Sequence, residues 1–499
     1  MAIHAISSNI DRRQVDPSVK LQSAQDADSI LERMEQRYQR SRREEAQPTT
    51  ITYSNVLNAW ANAGRAPEAE RVLEKMIAFS KDSANSSSDV KPNLICFNTV
   101  IDAWAKTKGQ KSAENAMGIL EQMEELSETG SYADIYPDTI TYSTVISAFA
   151  RSGRADAGDR AEELLERSLR LYNGGKKDLK PDSMTFCSVL DALSKQSQLE
   201  RQGNSGSSSR NSVPPDIRAV RVFERMHEMY NAGDTSVRPN TVSYNILLGM
   251  YARLMKTEKA EVLFRDMCAL CEAGDTNVKP DIISYNNYLF ALANSRQSDG
   301  LKKAGDVLRQ MENKSADGIL SNDMIVEPDV NSYNAVMKAL AKQSNNDGAA
   351  AEKIASLLKS MEDRLTNGES DVKPNNVCYN LLFDAWSKSG ASDAVTRAHG
   401  ALDRMITLSR KFNSPDLRPD VVSFTSVINI LAQSKTADSP DRAEALLEKM
   451  KEEGIKPNRY TYNSFVSSYY SFLELLLFRC MQSLHSLTRT CFYIDQLLG

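Results

Sequence analysis

Proline followed by Asp or Asn punctuates this chain, at Pro92, Pro137, Pro181, Pro239, Pro280, Pro328, Pro374, Pro419 and Pro457, with Pro48-Thr49 opening the series. An aromatic residue follows each of these prolines at one fixed offset: Tyr53, Phe97, Tyr142, Phe186, Tyr244, Tyr285, Tyr333, Tyr379, Phe424 and Tyr462. When units are counted from the second residue after proline, the aromatic is position four, and Trp60, Trp104 and Trp386 all fall at position eleven. Methionine marks the far end of most units, at Met76, Met123, Met226, Met267, Met311, Met361, Met405 and Met450. A phase held over roughly 400 residues excludes a string of unrelated globular domains and requires one supersecondary unit stacked on copies of itself.

Residues 421–458 show what that unit is. Phe424, Val427, Ile428 and Leu431 recur at the spacing that places side chains on one helical face. After a polar break, Ser439-Pro440-Asp441 supplies a capping hydroxyl, a proline where no amide hydrogen is needed and an acid at the positive end of a second helix. Ala443, Leu446, Leu447 and Met450 form its apolar face, Gly454 suits the left-handed turn that closes a helix, and Pro457 prevents continuation. Two amphipathic helices this short cannot bury their faces alone, so each hairpin must pack on its neighbours.

Composition sets further bounds. With 41% hydrophobic and 7% aromatic residues the chain can build a core, and 61 basic against 66 acidic residues, net −5, give no global attraction to a polyanion. Any nucleic-acid surface must therefore be local. Four of the seven cysteines, Cys96, Cys187, Cys268 and Cys378, stand where small hydrophobes would serve, which reads as reduced thiols in an intracellular compartment. Residues 1–25 are polar and read as a disordered N-terminus that matches neither a secretory signal nor a clean transit peptide. Residues 26–49 read as a partial repeat or N-terminal cap, and 50–458 as nine complete units: 50–93, 94–138, 139–182, 183–240, 241–281, 282–329, 330–375, 376–420 and 421–458. Their surplus length is expected to loop outward after the second helix, as in the Ser-rich stretch from Ser80 to Val90, and between the helices in the fourth unit, from Ser197 to Pro215. Residues 459–499 read as a partial tenth unit and an irregular C-terminal helix; the run FLELLLFRC is too short and too charged to span a bilayer, and no membrane association is expected.

The recurring form V-x-[ST]-[YF]-N-x-[VL]-[IL]-x-A-[WFYL], then A-E-x-[LV]-[LF]-x-x-M, then [KR]-P-[DN] resembles the pentatricopeptide repeat, from about Asp26 to Tyr470. The tetratricopeptide pattern, a related paired-helix repeat, is absent. The resemblance implies an all-α, right-handed superhelical solenoid of helix-turn-helix repeats, about nineteen helices in all, of a kind that reads one RNA base per repeat. The commonest form of the family keeps a shorter, strict period, and every unit here is longer.

In each first helix, positions four, seven, eight and eleven make the buried stripe, so positions two, five, nine and thirteen form another that faces the groove. Position two is apolar in Ile51, Ile95, Ile140, Met184, Val242, Ile283, Val377 and Val422, with Asn331 the exception. Position five is Ser54, Asn98, Ser143, Cys187, Asn245, Asn286, Asn334, Asn380 and Thr425. Position thirteen is basic in Lys106, Arg151, Lys195, Arg253, Lys342 and Lys388. An apolar clamp, a readout amide or hydroxyl and a phosphate-seeking cation at each step are the parts that single-stranded recognition requires.

Carried over from the resemblance, position five and the residue after the unit's proline together face one base. Ser54/Asn93 and Thr425/Asn458 imply adenine, and Ser143/Asp182 guanine. Asn98/Asp138, Asn245/Asp281, Asn286/Asp329 and Asn380/Asp420 imply uracil, Asn334/Asn375 a pyrimidine, and Cys187/Asn240 is unassigned. The implied partner is single-stranded RNA reading A-U-G-N-U-U-Y-U-A, bound by a monomer in a mitochondrion or plastid for RNA processing, stability or translation, with protein partners in an RNA-processing complex.

Each element also has a plainer reading. The residue after proline is a good helix cap in any helical array, position two could pack between units, and a lysine near a helix C-terminus favours the dipole. The whole array could instead be a scaffold that binds a protein segment in its groove. Signals for chemistry are weak: Cys268-x-x-Cys271 lacks the second pair of a zinc site, and His4, His227, His399 and His485 lie far apart with no nucleophile or metalloprotease motif. No enzyme activity, catalytic residue, metal or cofactor is expected.

Overall fold

A proline step that ends one hairpin and caps the next should produce helices that start in register, and the computed structural model has them. It describes residues 16–41, 47–81, 90–107, 109–128, 135–203, 213–295, 299–313, 326–343, 348–368, 372–434, 436, 438–471 and 473–474. Among these lie twenty α-helices and no strand. Helix α1 (Pro17–Ser41) precedes the repeats. The first helices are α2 (Thr50–Asn62), α4 (Leu94–Lys106), α6 (Thr139–Ser152), α8 (Ser183–Arg201), α10 (Thr241–Arg253), α12 (Ile282–Ala293), α14 (Val330–Gln343), α16 (Asn376–Ser389) and α18 (Val421–Ser434). Their partners are α3 (Ala66–Lys81), α5 (Gln110–Glu128), α7 (Ala157–Asn173), α9 (Pro215–Asn231), α11 (Thr257–Glu272), α13 (Gly300–Asn313), α15 (Gly348–Thr366), α17 (Ala394–Lys411) and α19 (Ser439–Glu452). Helix α20 covers 459–471.

The chain divides into two compact units: one of residues 1–254 with 273–279, the other of 255–272 with 280–499. Within each, first helices pack on their own second helices and on the next first helix, as α2 does on α3 and α4 and α16 does on α17 and α18, which is the helical-repeat class the markers imply. The position-four aromatics are the centre of this packing: Tyr53, Phe97, Tyr142, Phe186, Tyr285, Tyr333, Tyr379 and Phe424 are fully buried. A fully buried aromatic removes a large apolar area from water, which is a physical reason for this position to hold its identity along the array.

Three expectations need correction. Helix α1 begins at Pro17, with Asp16 accepting from the Ser18 amide at 2.9 Å, so residues 17–25 belong to the capping helix and not to a disordered tail. In the fourth unit α8 runs on through Ser197 to Arg201, into the stretch expected to be loop. Its extra turn packs: Gln196 is buried and its amide oxygen accepts from the Asp159 backbone at 3.2 Å, against Gly158, where an added Cβ would lie 2.5 Å from that same oxygen. Lastly, the segments before proline do not simply loop outward. Val90, Ile135, Leu179, Val237, Val278 and Leu417, each two residues before its proline, are buried plugs. Four of them end short 3-10 turns, Lys177–Leu179, Thr235–Val237, Thr276–Val278 and Pro415–Leu417. The Ser-rich stretch 82–89, the insertion at 204–212 and the C-terminal run beyond 474 lie outside the described residues. No described helix is long and apolar enough to cross a membrane.

Candidate nucleic-acid interface

The groove positions are built from the helix starts. In every unit the residue after proline is the N-cap of the next first helix: Asn93 accepts from the Cys96 amide at 3.0 Å, Asp138 from Thr141 at 2.8 Å, Asp182 from Thr185 at 2.8 Å and Asn240 from Ser243 at 3.0 Å. Asp281, Asp329, Asn375, Asp420 and Asn458 do the same for Ser284, Ser332, Cys378, Ser423 and Thr461. Capping is thus a real role for these residues, and the plainer reading holds to that extent. It does not exhaust them, because an Asp cap uses one carboxylate oxygen and has lone pairs left to accept. The cap is also brought back beside the preceding repeat. The position-one hydroxyls of Thr50, Thr139, Ser183 and Thr241 donate to the carbonyls of Lys91, Lys180, Arg238 and Lys279, the residues just before proline, at 2.8–3.1 Å.

This return places each cap against the position-five residue of the repeat before it. Asn98 Nδ2 lies 3.5 Å from Asp138 Oδ1, Asn286 Nδ2 3.1 Å from Asp329 Oδ1, and Asn380 Nδ2 3.3 Å from Asp420 Oδ1. Cys187 Sγ is 3.8 Å from Asn240 Oδ1. Asn245 and Asp281 fall in different units of the structure. The pairing expected from the sequence is therefore physically present in Asn98/Asp138, Cys187/Asn240, Asn286/Asp329 and Asn380/Asp420.

A third residue completes the arrangement, and sequence reasoning assigned it no role. Position three of the following repeat is buried and touches the position-five side chain. Thr141 Oγ1 lies 2.7 Å from Asn98 Oδ1, Ser332 Oγ 2.6 Å from Asn286 Oδ1, and Ser423 Oγ 2.8 Å from Asn380 Oδ1. Cys378 Sγ is 3.2 Å from Asn334 Oδ1, Cys96 Sγ 3.3 Å from Ser54 Oγ, and the Thr425 and Thr461 hydroxyls are 2.8 Å apart. The signal was in the sequence: position three is Ser, Thr or Cys in every unit, which is unusual for a fully buried helical site.

Position two settles the other ambiguity. It does not pack between repeats. Ile51, Ile95, Ile140, Met184, Val242, Ile283, Val377 and Val422 are all exposed, from 72% for Ile51 to 46% for Val377, and Tyr460 continues the series in α20 at 69%. Asn331, the polar exception, is likewise exposed and bonds Asp329 Oδ2 at 3.1 Å. A single exposed aliphatic side chain is ordinary, whereas one at the same position of nearly every repeat is a stripe that stays wet until something covers it.

Of the position-thirteen cations, Lys106, Arg151, Lys195, Lys342 and Lys388 are exposed. Lys106, Lys195 and Lys388 sit on the carboxylates of Asp102, Asp191 and Asp384 one turn earlier, at 2.5–2.8 Å, and such exposed pairs hold a lysine weakly. Arg151 reaches Ser147 at 2.7 Å, and Lys342 reaches Asn294 at 2.7 Å. Arg253 differs: it is half-buried, donates to Ser194 at 2.6 Å, has an unpartnered Nε, and burial lowers its pKa. It reads as a structural residue more than a phosphate ligand.

The opposite face uses its cations internally. In several neighbouring pairs the later helix supplies the base and the earlier one the acid, as in Lys75–Glu32, Arg167–Glu124, Arg218–Glu162 and Lys449–Asp403 at 2.5–3.0 Å, while Arg410–Glu453 runs the other way. Among the described residues no group of three or more His, Cys, Asp or Glu is placed to hold a metal. Cys268 is a buried free thiol and Cys271 a partly exposed one. Burial and the Asp182 and Asp191 charges push the Cys187 thiol up to about 12, and burial pushes Cys378 up to about 11.

Comparison with known proteins identifies the repeats. A family model described as a pentatricopeptide repeat domain matches residues 407–470, and a PPR repeat model matches 51–80, 140–168 and 242–271. A chloroplastic pentatricopeptide repeat-containing protein of Arabidopsis thaliana is 30% identical over 95 residues, 19% of this chain and 16% of its own length. Among solved structures, the pentatricopeptide repeat protein PPR10 in complex with an 18-nt psaJ RNA element is 19% identical, over 96% of this chain and 60% of that one, at a TM-score of 0.38. PPR10 from maize is 18% identical over 95% and 79%, at 0.28. The chain thus spans a small part of its curated relative and about three-fifths of the first of these structures. Repeat markers in phase along the chain, and family matches at both its ends, make this a member of the pentatricopeptide-repeat family.

Proposed function

We propose that this protein binds single-stranded RNA along the first-helix face of its repeats, one base per unit, with a preference for A-U-G-N-U-U-Y-U-A. The stripe of exposed aliphatic side chains at position two carries the proposal. Along the chain each position-five and cap pair is bracketed by the position-two residues of its own repeat and the next, so an apolar element and a polar edge reader recur together. An unpaired base matches that slot, with flat faces to cover the aliphatics and an edge of donors and acceptors for the polar pair. A protein segment would satisfy the apolar stripe but has no reason to need a hydrogen-bonding pair of position five and cap at nearly every step. Exposed cations at position thirteen supply the phosphate attraction that a net-acidic chain lacks overall.

The family and the chloroplastic relative support an organellar role in RNA processing, stability or translation, in a mitochondrion or plastid, with protein partners of an RNA-processing complex. The test is a salt titration of the whole chain against the nine-base RNA, a scrambled RNA of equal composition and a duplex of the same sequence. Preference for the single strand in its stated order, weakening as salt rises, supports the reading. Equal binding of ordered and scrambled RNA, or none, overturns it and favours the scaffold.

A further inference from the structure

We infer that the position-three residue of each repeat is a positioning determinant of base selectivity for the repeat before it, through the orientation of the position-five amide. The inference rests on the RNA reading above and goes beyond the pair of residues that reading uses.

An Asn amide can present either its oxygen or its nitrogen to a base, and the two orientations have opposite hydrogen-bonding sense. In Asn286 the choice is made by two neighbours. The Ser332 hydroxyl lies 2.6 Å from Asn286 Oδ1, and Asp329 Oδ1 lies 3.1 Å from Asn286 Nδ2. Asn98 with Thr141 and Asp138, and Asn380 with Ser423 and Asp420, repeat the arrangement. Each hydroxyl also lies 2.8–3.1 Å from the cap carboxylate oxygen but is closer to the amide oxygen, and with the amide nitrogen set toward the carboxylate this leaves an N–H donor beside a carboxylate acceptor for the base. That edge complements a carbonyl next to an imide N–H, which uracil carries.

The seventh unit lacks both constraints. Asn375 replaces the carboxylate, and Cys378 replaces the hydroxyl. Cys378 Sγ lies 3.2 Å from Asn334 Oδ1 and also 3.2 Å from Asn375 Oδ1, so one weak S–H donor faces two carbonyl oxygens. Asn375 Oδ1 is fixed by the Cys378 backbone amide at 3.1 Å, but nothing comparable fixes Asn334. The pyrimidine ambiguity at the seventh base follows from this thiol. A hydroxyl in its place would hold Asn334 Oδ1 and turn two N–H donors toward the base, matching the adjacent acceptors of cytosine.

The experiment uses the whole chain and nine-base RNAs carrying each of the four bases at the sixth or seventh place. Cys378→Ser should raise the preference for cytosine over uracil at the seventh base by roughly three- to tenfold, the worth of one neutral hydrogen bond. Ser332→Ala should lower the preference for uracil at the sixth base by a similar factor, and Ser332→Thr should keep it. Ser332 also accepts from the Asp329 amide at 3.1 Å, so a Ser332→Ala chain that fails to fold leaves the nearly isosteric Cys378→Ser arm to decide. Selectivity unchanged at the altered base, or weakened equally at all bases, with RNA still bound, overturns this inference alone. Absence of RNA binding by the unaltered chain overturns the RNA reading and this inference with it.

Discussion

The Tyr379 hydroxyl donates a 2.5 Å hydrogen bond to Glu362, a carboxylate only 6% exposed, which also meets Arg404 Nε at 3.3 Å. The relationship recurs in Tyr53–Glu35, Tyr142–Glu124 and Tyr333–Glu312 at 2.5–2.7 Å, and as Tyr244 with His227 at 3.4 Å. In each case the partner is the residue just after the methionine that ends the preceding second helix, or α1. Where position four is phenylalanine, that place holds a buried aliphatic: Ile77 before Phe97, Leu169 before Phe186 and Ile406 before Phe424. A hydroxyl is buried only where an acceptor waits for it.

Removing one side of the match should therefore be costly. Tyr379→Phe leaves a buried carboxylate with one partner fewer and should destabilise the array by about 1–3 kcal/mol in denaturant unfolding. Phe424→Tyr strands a hydroxyl against Ile406 and should cost a similar amount. Adding Ile406→Glu to Phe424→Tyr should recover part of that loss; strictly additive destabilisation would contradict the account.

The helix starts and the aromatic stack were legible in the sequence, whereas this rule lay there as a covariation between two columns of the repeat and was not among the expectations. What was not legible involved contacts between repeats. Position three was assigned no role from the sequence: its backbone amide serves the cap, and its side-chain contact, across to position five, needs the distance between repeats. The plugs Val90, Ile135 and Leu179 were hidden because each is a single apolar residue at the end of a polar insertion, too short to register as periodic. Likewise α8 overran its expected end because the stretch from Ser197 read as polar loop, while Ser197 is buried and the preceding Gln196 bonds Asp159 of α7.

The exposed stripe should be silent in folding and active in binding. Ile140→Ala, at a site 63% exposed, should change stability by less than about 0.5 kcal/mol. Its RNA affinity should fall several-fold, equally for every base next to the altered slot. A loss of stability without a loss of affinity would return position two to a packing role.

The cations should separate into two classes. Lys106, exposed and held by the Asp102 pair alone, should act on phosphate, so that Lys106→Ala lowers the log-log salt slope by about 0.7 while leaving base preference intact. Arg253→Ala should mainly lower the unfolding midpoint, because it empties a half-buried contact with Ser194 and leaves the slope nearly unchanged. The slope is read from anisotropy titrations at several salt concentrations.

Thiol reactivity follows burial. With its pKa pushed up to about 12, Cys187 is about one part in 10,000 thiolate at pH 8, so alkylation in the folded chain should be slow and should quicken only as pH rises toward that value. Cys271, partly exposed, should label first among Cys96, Cys187, Cys268, Cys271 and Cys378 in time-resolved peptide mass spectrometry. Early labelling of Cys187 or Cys378 at pH 8 would mean that the position-three and position-five contacts open readily.

The measurement closest to the central claim is the base preference at the eighth place of the RNA after Asn380→Thr combined with Asp420→Asn. Asn at 420 can still cap α18 by accepting from the Ser423 amide, now 2.8 Å from Asp420 Oδ1, so the fold should survive. The altered pair matches the Thr425/Asn458 pair of the next repeat, and the preferred eighth base should move from uracil to adenine by about tenfold or more, with the other eight places unchanged. RNA still bound with uracil still preferred at that place would show that these side chains cap helices and do not read bases.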